Sequence, residues 1–261
     1  MFESVKLAID KLNMESLSTE DKLKRLSLID HFHGGGLWST ETLMNLMETK
    51  FKQQKYGIDI GCGMGGPMRW FAYRAKCHMT GVDITPEFLR IAEYITEKLN
   101  MKKSCDYFAA DACSLPTRKK YDFAIMMAVT CNIANRKALY DSINKVLKTN
   151  SKIGVIDLVK GKNPGLVLPV PWSTDGKKET SFLLSEAETI EFAKNAGFSL
   201  MKKKDISKEV LDWFKKEHRA LSKNRKIGFE VVLPEWPKMV KSQVRNLEKD
   251  HIRFMDFVFA K

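Results

Sequence analysis

The sequence contains no uninterrupted apolar stretch near the roughly 18–20 residues that a membrane-spanning helix needs, so no membrane span is expected. Its first residues, MFESVKLAIDKLNMESLSTEDK, mix charge into the apolar pattern and lack the apolar core of a signal peptide. A cytoplasmic protein is therefore predicted. Cysteine is sparse. Cys62, Cys77, Cys105, Cys113 and Cys131 form no CxxC pair, and an odd number of them excludes a fully paired disulfide framework. They read as reduced thiols, mostly small core residues, and no metal site is expected. Internal repeats and low-complexity tracts are also missing.

What is present is a chain of 261 residues, 44% hydrophobic and 29% charged. That is enough apolar surface for one large domain or two small ones, and it excludes a disordered chain. The formal net charge of +12 raises the question of an anionic partner such as RNA. Lysine outnumbers arginine roughly three to one, however, and surfaces that read phosphates and bases favour the arginine fork. The basic residues are also scattered. Only Lys202-Lys203-Lys204 and a loose cluster over 215–226 stand out, so a solvated lysine-rich surface is expected rather than a nucleic-acid partner.

The hydrophobic period changes along the chain. The first 50 residues read as helices: one over 19–30, capped by Thr19, and another from Ser39 or Thr40 to about Phe51. The glycine-rich stretch His31-Phe32-His33-Gly34-Gly35-Gly36 separates them. From Tyr56, short apolar strands alternate with helices. Strands are predicted at Tyr56–Ile60, His78–Val82, Cys105–Ala110, Phe123–Val129 and Ile153–Val159, with helices at 66–76, Pro86–Leu99 and 135–148 between them. This alternation predicts an α/β protein with a largely parallel sheet covered on both faces. Residues 160–181, with four glycines and prolines in the first ten positions alone, predict a long loop of the kind that serves as a lid. Helices near 185–196, 206–223 and 236–249, a strand near 198–204 and a last strand at Ile252–Ala260 complete the chain. The whole reads as one domain: a helical cap over 1–52, a ligand-binding core over 53–160, lid and insertions over 160–250, and a closing strand over 251–261.

The strongest chemical signal is Ile58-Asp59-Ile60-Gly61-Cys62-Gly63-Met64-Gly65-Gly66-Pro67, a strand entering a glycine turn and then a helix. Glycines let the backbone approach a ligand closely, and the helix start offers free N–H groups. Gly61, Gly63 and Gly66 also fit GxGxxG, which suits dinucleotides equally well. Three acids narrow the choice. Asp59 precedes the turn, Asp83 ends the second strand and Asp111 follows the third. Carboxylates at consecutive ends of a parallel sheet converge on the edge where ligands bind. Asp83 can accept ribose hydroxyls, Asp111 an adenine amino proton, and Asp59 suits a cation better than a pyrophosphate. Each of Asp83 and Asp111 alone reads equally well as a helix cap or turn former.

With these residues the chain resembles the class I S-adenosylmethionine-dependent methyltransferases over about residues 55–160. The resemblance implies a Rossmann-like seven-stranded sheet of order 3-2-1-4-5-7-6 with an antiparallel last strand, and S-adenosylmethionine as cofactor. The cofactor set it implies is Asp59, Gly61, Gly63, Gly65, Asp83, Ile84, Asp111, Ala112 and Ala128. A narrower similarity, to the sarcosine/dimethylglycine N-methyltransferase group, rests on Asp30-His31-Phe32-His33-Gly34-Gly35-Gly36, Gly63-Met64-Gly65-Gly66-Pro67-Met68-Arg69, Thr85-Pro86-Glu87-Phe88, Asn132-Ile133-Ala134, Pro169-Val170-Pro171-Trp172 and Ser181-Phe182-Leu183. That group usually carries His-Val-Gln-Met-Asn-Ile after strand four, where this chain has Ala128-Val129-Thr130-Cys131-Asn132-Ile133. The departure bears on a glycine-derived amine as acceptor more than on the cofactor.

Methyl transfer from a sulfonium is an in-line displacement with a neutral leaving group. Alignment is then the main contribution, up to about 7–11 kcal/mol in ideal cases. The expected function is methyl transfer to a small molecule, foremost an amine by glycine-derivative-like N-methylation, and such an acceptor must be neutral at the moment of attack. The expected acceptor residues are Asn132, His33 and Trp172 in catalysis, with His31, Arg69 and Trp172 binding a small molecule. Each has a plainer alternative: the histidines cap a break between helices, Asn132 is a turn residue, Trp172 anchors the lid, and Arg69 forms a surface ion pair. A methyltransferase acting on RNA or protein, a non-catalytic cofactor-binding module and, more remotely, a nicotinamide oxidoreductase are the competing functions.

Overall fold

A computed structural model describes residues 1–48, 55–177, 179–221 and 228–261. Seven strands form one sheet: β1 (Tyr56–Ile60), β2 (His78–Asp83), β3 (Cys105–Ala109), β4 (Tyr121–Met127), β5 (Leu147–Lys160), β6 (Ser199–Asp205) and β7 (Ile252–Ala260). Their order is β3-β2-β1-β4-β5-β7-β6. β1 to β5 are parallel, and β7 runs antiparallel to both neighbours. The expected seven-stranded methyltransferase sheet, with its reversed last strand, is the sheet observed.

Side chains on successive strand residues point to opposite faces, which explains why β4 is apolar from Phe123 to Met127. Phe123, Ile125 and Met127 join one buried cluster, while Ala124 and Met126 join the other. The first cluster packs α1 (Phe2–Asp10), α2 (Thr19–Asp30), α3 (Gly36–Leu46), α4 (Gly66–Ala75), α5 (Pro86–Lys98), α8 (Ser207–Leu221) and α9 (Trp236–Glu248). The second packs α6 (Arg136–Val146) and α7 (Glu186–Asn195). The N-terminal helices and the late insertion between β6 and β7 thus share one layer, on the same side of the sheet.

Local boundaries follow side-chain chemistry. Ser18, not the expected Thr19, caps α2 by accepting from the Asp21 amide. Ser185 and Glu188 form a reciprocal capping box at α7. α3 opens at Gly36 rather than Ser39 or Thr40, because Gly35 adopts the left-handed conformation that turns the chain into the helix. Its expected end at Phe51 lies outside the described residues, as does the 222–226 portion of the basic cluster. β5 begins six residues earlier than Ile153, since Leu147 already pairs with Tyr121.

The layers are locked by a buried ion pair. Arg69 on α4, wholly inaccessible, donates through Nη2 to Asp30 Oδ2 at the end of α2, 2.7 Å away. The same nitrogen holds the Met64 carbonyl at 2.6 Å. Nη1 reaches Ala92 O, Thr96 Oγ1 and Tyr107 Oη, so α5 and β3 are gathered too. The other Asp30 oxygen faces His31 Nδ1 at 2.8 Å. This approach is so close that a Cβ on Gly66 would lie 2.5 Å from Asp30 O and Oδ1, which is why glycine stands there.

Removing one member of such a pair strands the other charge in the core. Arg69→Ala is expected to cost about 3–5 kcal/mol in urea unfolding. A loss below about 1 kcal/mol would show that the pair does not hold α2 to α4.

Candidate functional site

A cavity of about 640 Å³ opens at the carboxyl ends of the parallel strands, at the point where β1 separates β2 from β4. This is the edge at which open α/β sheets bind ligands. Asp59, Asp83 and Asp111 all line it. Gly61 and Gly63, which line it, and Gly65, which packs against Arg69 and Tyr107 and does not, turn the chain there with φ of 70°, 51° and 77°. At Gly63 that conformation and the open space beside it leave the backbone bare toward the cavity.

The three acids do different work. Asp83 shapes the turn: Oδ2 accepts from the Gly63 amide and Oδ1 from the Thr85 amide, each at 2.9 Å. Each oxygen keeps a second lone pair for a hydroxyl donor. Asp111 is exposed, and Oδ1 accepts from the Cys113 amide at 2.8 Å. Both therefore cap their turns and face the cavity at once. Asp59 is different. It is buried, and its Oδ2 has no hydrogen-bond partner among the described residues. Burial, and then the neighbouring Asp83 charge, push its carboxyl well above the ordinary carboxylate range, with Arg69 opposing. Asp59 thus stands at the glycine turn as a buried acid, one oxygen of which has no partner among the described residues.

The remaining candidates in the cofactor set also reach the cavity. Ile84 is 70% exposed, an unusual position for isoleucine unless a flat apolar group covers it. Ala112 and Ala128 both line the wall. Ala128 holds φ of 55°, rare for a residue with a Cβ, and its amide donates to Ile156 O at 2.7 Å. The chain bends sharply there, which brings Asn132 to the cavity.

Among the acceptor candidates, His33, Asn132 and Trp172 line the cavity, whereas His31 and Arg69 do not. His31 is buried against Asp30. Arg69 is neither a surface ion pair nor a clamp facing a ligand: it is buried, and both terminal nitrogens are bound to the protein. His33 contacts Thr40 Oγ1 through Nε2 at 3.2 Å. Burial, with His31 nearby, lowers its pKa to about 3, so the ring is neutral and a weak proton acceptor. Trp172 donates its indole N–H to Ser181 Oγ at 3.0 Å, anchoring the loop while it lines the cavity. That loop is stitched down rather than loose. The Phe182 amide donates to Cys131 O at 2.9 Å, and Asn246 on α9 exchanges two bonds with the Val167 backbone.

The sequence arguments missed the other end of the cavity. Phe214, Leu233, Trp236, Gln243 and Phe254 line it, with Phe32. A signal was present: Gln243 interrupts the buried stripe Trp236, Met239, Val240 and Leu247 of α9. Among the described lining residues the charged groups are Asp30, Asp59, Asp83 and Asp111, and none is lysine or arginine.

A family model described as a methyltransferase domain matches residues 58–155. The chain is 26% identical over 176 residues to 24-methylenesterol C-methyltransferase 3 of Arabidopsis thaliana, covering 61% of this chain and 46% of that protein. It spans less than half the length of the curated relatives it matches. Phosphoethanolamine N-methyltransferase 2 of Haemonchus contortus superposes with a TM-score of 0.78 at 17% identity, over 97% of this chain and 60% of that one. A candidate sarcosine dimethylglycine methyltransferase from Galdieria sulphuraria superposes with a TM-score of 0.70 at 14% identity, over 86% of each chain. The narrower similarity expected from the sequence is thus found at the level of fold, while the sequence relatives include sterol and phosphoethanolamine methyltransferases. The matched segment spans the glycine turn, and the sheet has the order expected of the class I S-adenosylmethionine-dependent methyltransferases, which this chain resembles.

Proposed function

We propose that this protein transfers the methyl group of S-adenosylmethionine to a small molecule that carries no anionic group. The observation that carries the cofactor half is Asp59 Oδ2, buried and unanswered at the glycine turn. A sulfonium with an amino-acid ammonium supplies the missing cation. Asp83, Ile84 and Asp111 stand in order along the rim, as a ribose, an adenine face and an adenine amino group would require. When bound, the cofactor supplies an electrophilic methyl carbon, and the protein has only to align the acceptor with it.

The acceptor half follows from charge. A phosphate or carboxylate buried in this cavity would meet the Asp83 and Asp111 carboxylates with no lysine or arginine on the described wall, Asp30 being already paired with Arg69. That argues against a phosphoethanolamine-like acceptor, and equally against a glycine-derived amine with its carboxylate, for which Arg69 is already committed. A neutral or cationic acceptor meets no such penalty. The aromatic far end suits an apolar body, as in the sterol substrates named for the curated relatives. Trp172 can hold an ammonium by cation–π attraction worth about 0.5–2 kcal/mol, or pack against a neutral ring.

Incubation with methyl-labelled S-adenosylmethionine and a metabolite extract, followed by mass spectrometry, tests the whole proposal. Label is expected on neutral or basic small molecules. Label confined to phosphate or carboxylate compounds would refute the acceptor half, and no labelling together with no heat on titration of S-adenosylhomocysteine would refute both.

The raised pKa of Asp59 gives a signed expectation. In the free protein its carboxyl holds a proton to higher pH than usual. A bound cation favours the charged form, so binding S-adenosylhomocysteine, which keeps its ammonium, should release a proton. Affinity should therefore rise with pH through that titration. Calorimetry in buffers of different ionisation enthalpy reads the proton directly, and Asp59→Asn should abolish the buffer dependence. Asp83→Ala should weaken the same ligand by about 1–3 kcal/mol, since it removes both the hydroxyl acceptor and the brace on the Gly63 amide. Unchanged affinity would place the ribose elsewhere.

A further inference from the structure

Asn132 and Trp172 reach the cavity from two separate pieces of chain, the turn after β4 and the loop after β5. One buried cation joins the two. Arg136 opens α6 and is 4% exposed. Its Nη1 donates to Thr130 O and, at 2.6 Å, to Ile133 O, the carbonyls on either side of Cys131 and Asn132. Its Nη2 donates to Phe182 O, on the loop, at 2.6 Å. A return bond runs from the Phe182 amide to Cys131 O. The preceding residue, Ser181, accepts the indole N–H of Trp172. Ser181 and Phe182 thus carry both the anchor of Trp172 and the loop's attachment to the turn, and Arg136 holds that attachment from below.

A guanidinium suits this place because its planar fork fixes several acceptors at once, whereas an ammonium acts as a point charge. Carbonyls carry no net charge, so a buried cation bound only to them needs an anion nearby. Asp157 on β5 supplies it. It is 1% exposed, and its Oδ1 accepts from the Thr130 hydroxyl and the Leu158 amide. α6 presents Arg136 and Tyr140 to it, the turn presents Cys131, and β7 presents the apolar Met255. Burial keeps Tyr140 and Cys131 protonated. Burial also raises the Asp157 carboxyl to about 6, with Thr130 and Arg136 opposing. Asp157 is therefore ionised at neutral pH, where it compensates Arg136, and becomes neutral in mild acid.

We propose that Arg136 is a positioning residue for methyl transfer: it latches the loop bearing Trp172 to the turn bearing Asn132, so that one side chain sets both of these walls of the cavity. Arg136 does not line the cavity and acts through Ser181, Phe182 and the turn. The proposal rests on the methyl-transfer reading of the same cavity. In-line displacement depends on alignment, so a loosened latch lowers the rate without removing the cofactor.

Arg136→Lys keeps the charge and loses the fork. Hydrogen exchange on the full chain is expected to show peptides over 166–177 and 179–184 exchanging about ten-fold faster in this variant, with peptides of β1 and α5 unchanged. Transfer of label from S-adenosylmethionine to a metabolite extract, counted per site that binds S-adenosylhomocysteine, is expected to fall about ten-fold while the KM for S-adenosylmethionine stays within about two-fold. Asp157→Asn keeps a hydrogen-bond acceptor and removes the charge. In the unaltered chain the protection of the loop, corrected for intrinsic exchange, should fall between about pH 7.5 and about pH 5, whereas in Asp157→Asn it should be low and equal at both. Unchanged loop exchange in Arg136→Lys overturns the proposal. So does a loosened loop with an undiminished rate per site, or a KM for S-adenosylmethionine that rises along with the loss of rate. If Arg136→Lys fails to bind S-adenosylhomocysteine, Asp157→Asn decides: a loop as protected at the higher pH as in the unaltered chain refutes the latch. Failure of the unaltered chain to bind S-adenosylhomocysteine sinks the methyl-transfer reading instead, and the exchange comparison still reads the latch.

Discussion

The contact between Arg69 and Asp30 organises everything above the sheet. A guanidinium with no solvent access needs fixed acceptors, and here its two terminal nitrogens find them in four places: the end of α2, the glycine turn, α5 and Tyr107 on β3. The charge thereby fixes the Met64 carbonyl, and with it the path of the turn that carries Gly63. It also holds the segment from His31 to Gly36, which lays Phe32, His33 and Gly34 along the cavity. The bare backbone at the strand ends is preorganised because a buried cation beneath it leaves no alternative arrangement.

The cavity built on that platform has two characters. Near β1, β2 and β3 it is acidic and turns a bare backbone outward. Near α8, α9 and β7 it is aromatic, with only a glutamine and an indole N–H to interrupt the apolar wall. A cationic nucleoside and an apolar acceptor would separate between these ends without competing, each entering the environment that costs it least desolvation. The pairing of the two ends depends on the topology, since the first end comes from the parallel core and the second from the N-terminal helices and the insertion before β7.

Much of the first end was legible in the sequence because it is local. Strand, glycine turn and helix are consecutive, and Asp59, Asp83 and Asp111 each follow from the end of a short apolar run. The strands Tyr56–Ile60 and Ile252–Ala260 were placed to the residue for the same reason. β5 was read too short because its first turn of chain, Lys148 to Ser151, is polar and carries no apolar run, although Leu147 pairs with β4 across a register shift. The burial of Arg69 is not legible in the sequence, because its partner is 39 residues away and no periodicity announces which arginine of a helix is enclosed. Gln243 was visible as a polar residue on an apolar stripe, yet nothing in the sequence tells such a residue apart from a satisfied core amide. Only the packing of α9 over the strand ends gives it a neighbourhood.

The signs of charge are inverted between the outside and the inside of this molecule. The chain as a whole is strongly positive, while every charged residue described on the cavity wall is an aspartate. A cation drifting in meets a repulsive halo before it senses the acidic interior. Mobile salt thins the halo, which reaches about 8 Å at physiological ionic strength, and scarcely touches the interior. A nucleoside whose sulfur lost its positive charge would lose part of what holds it to such an acidic wall, and the salt-screened exterior would bear little on its release.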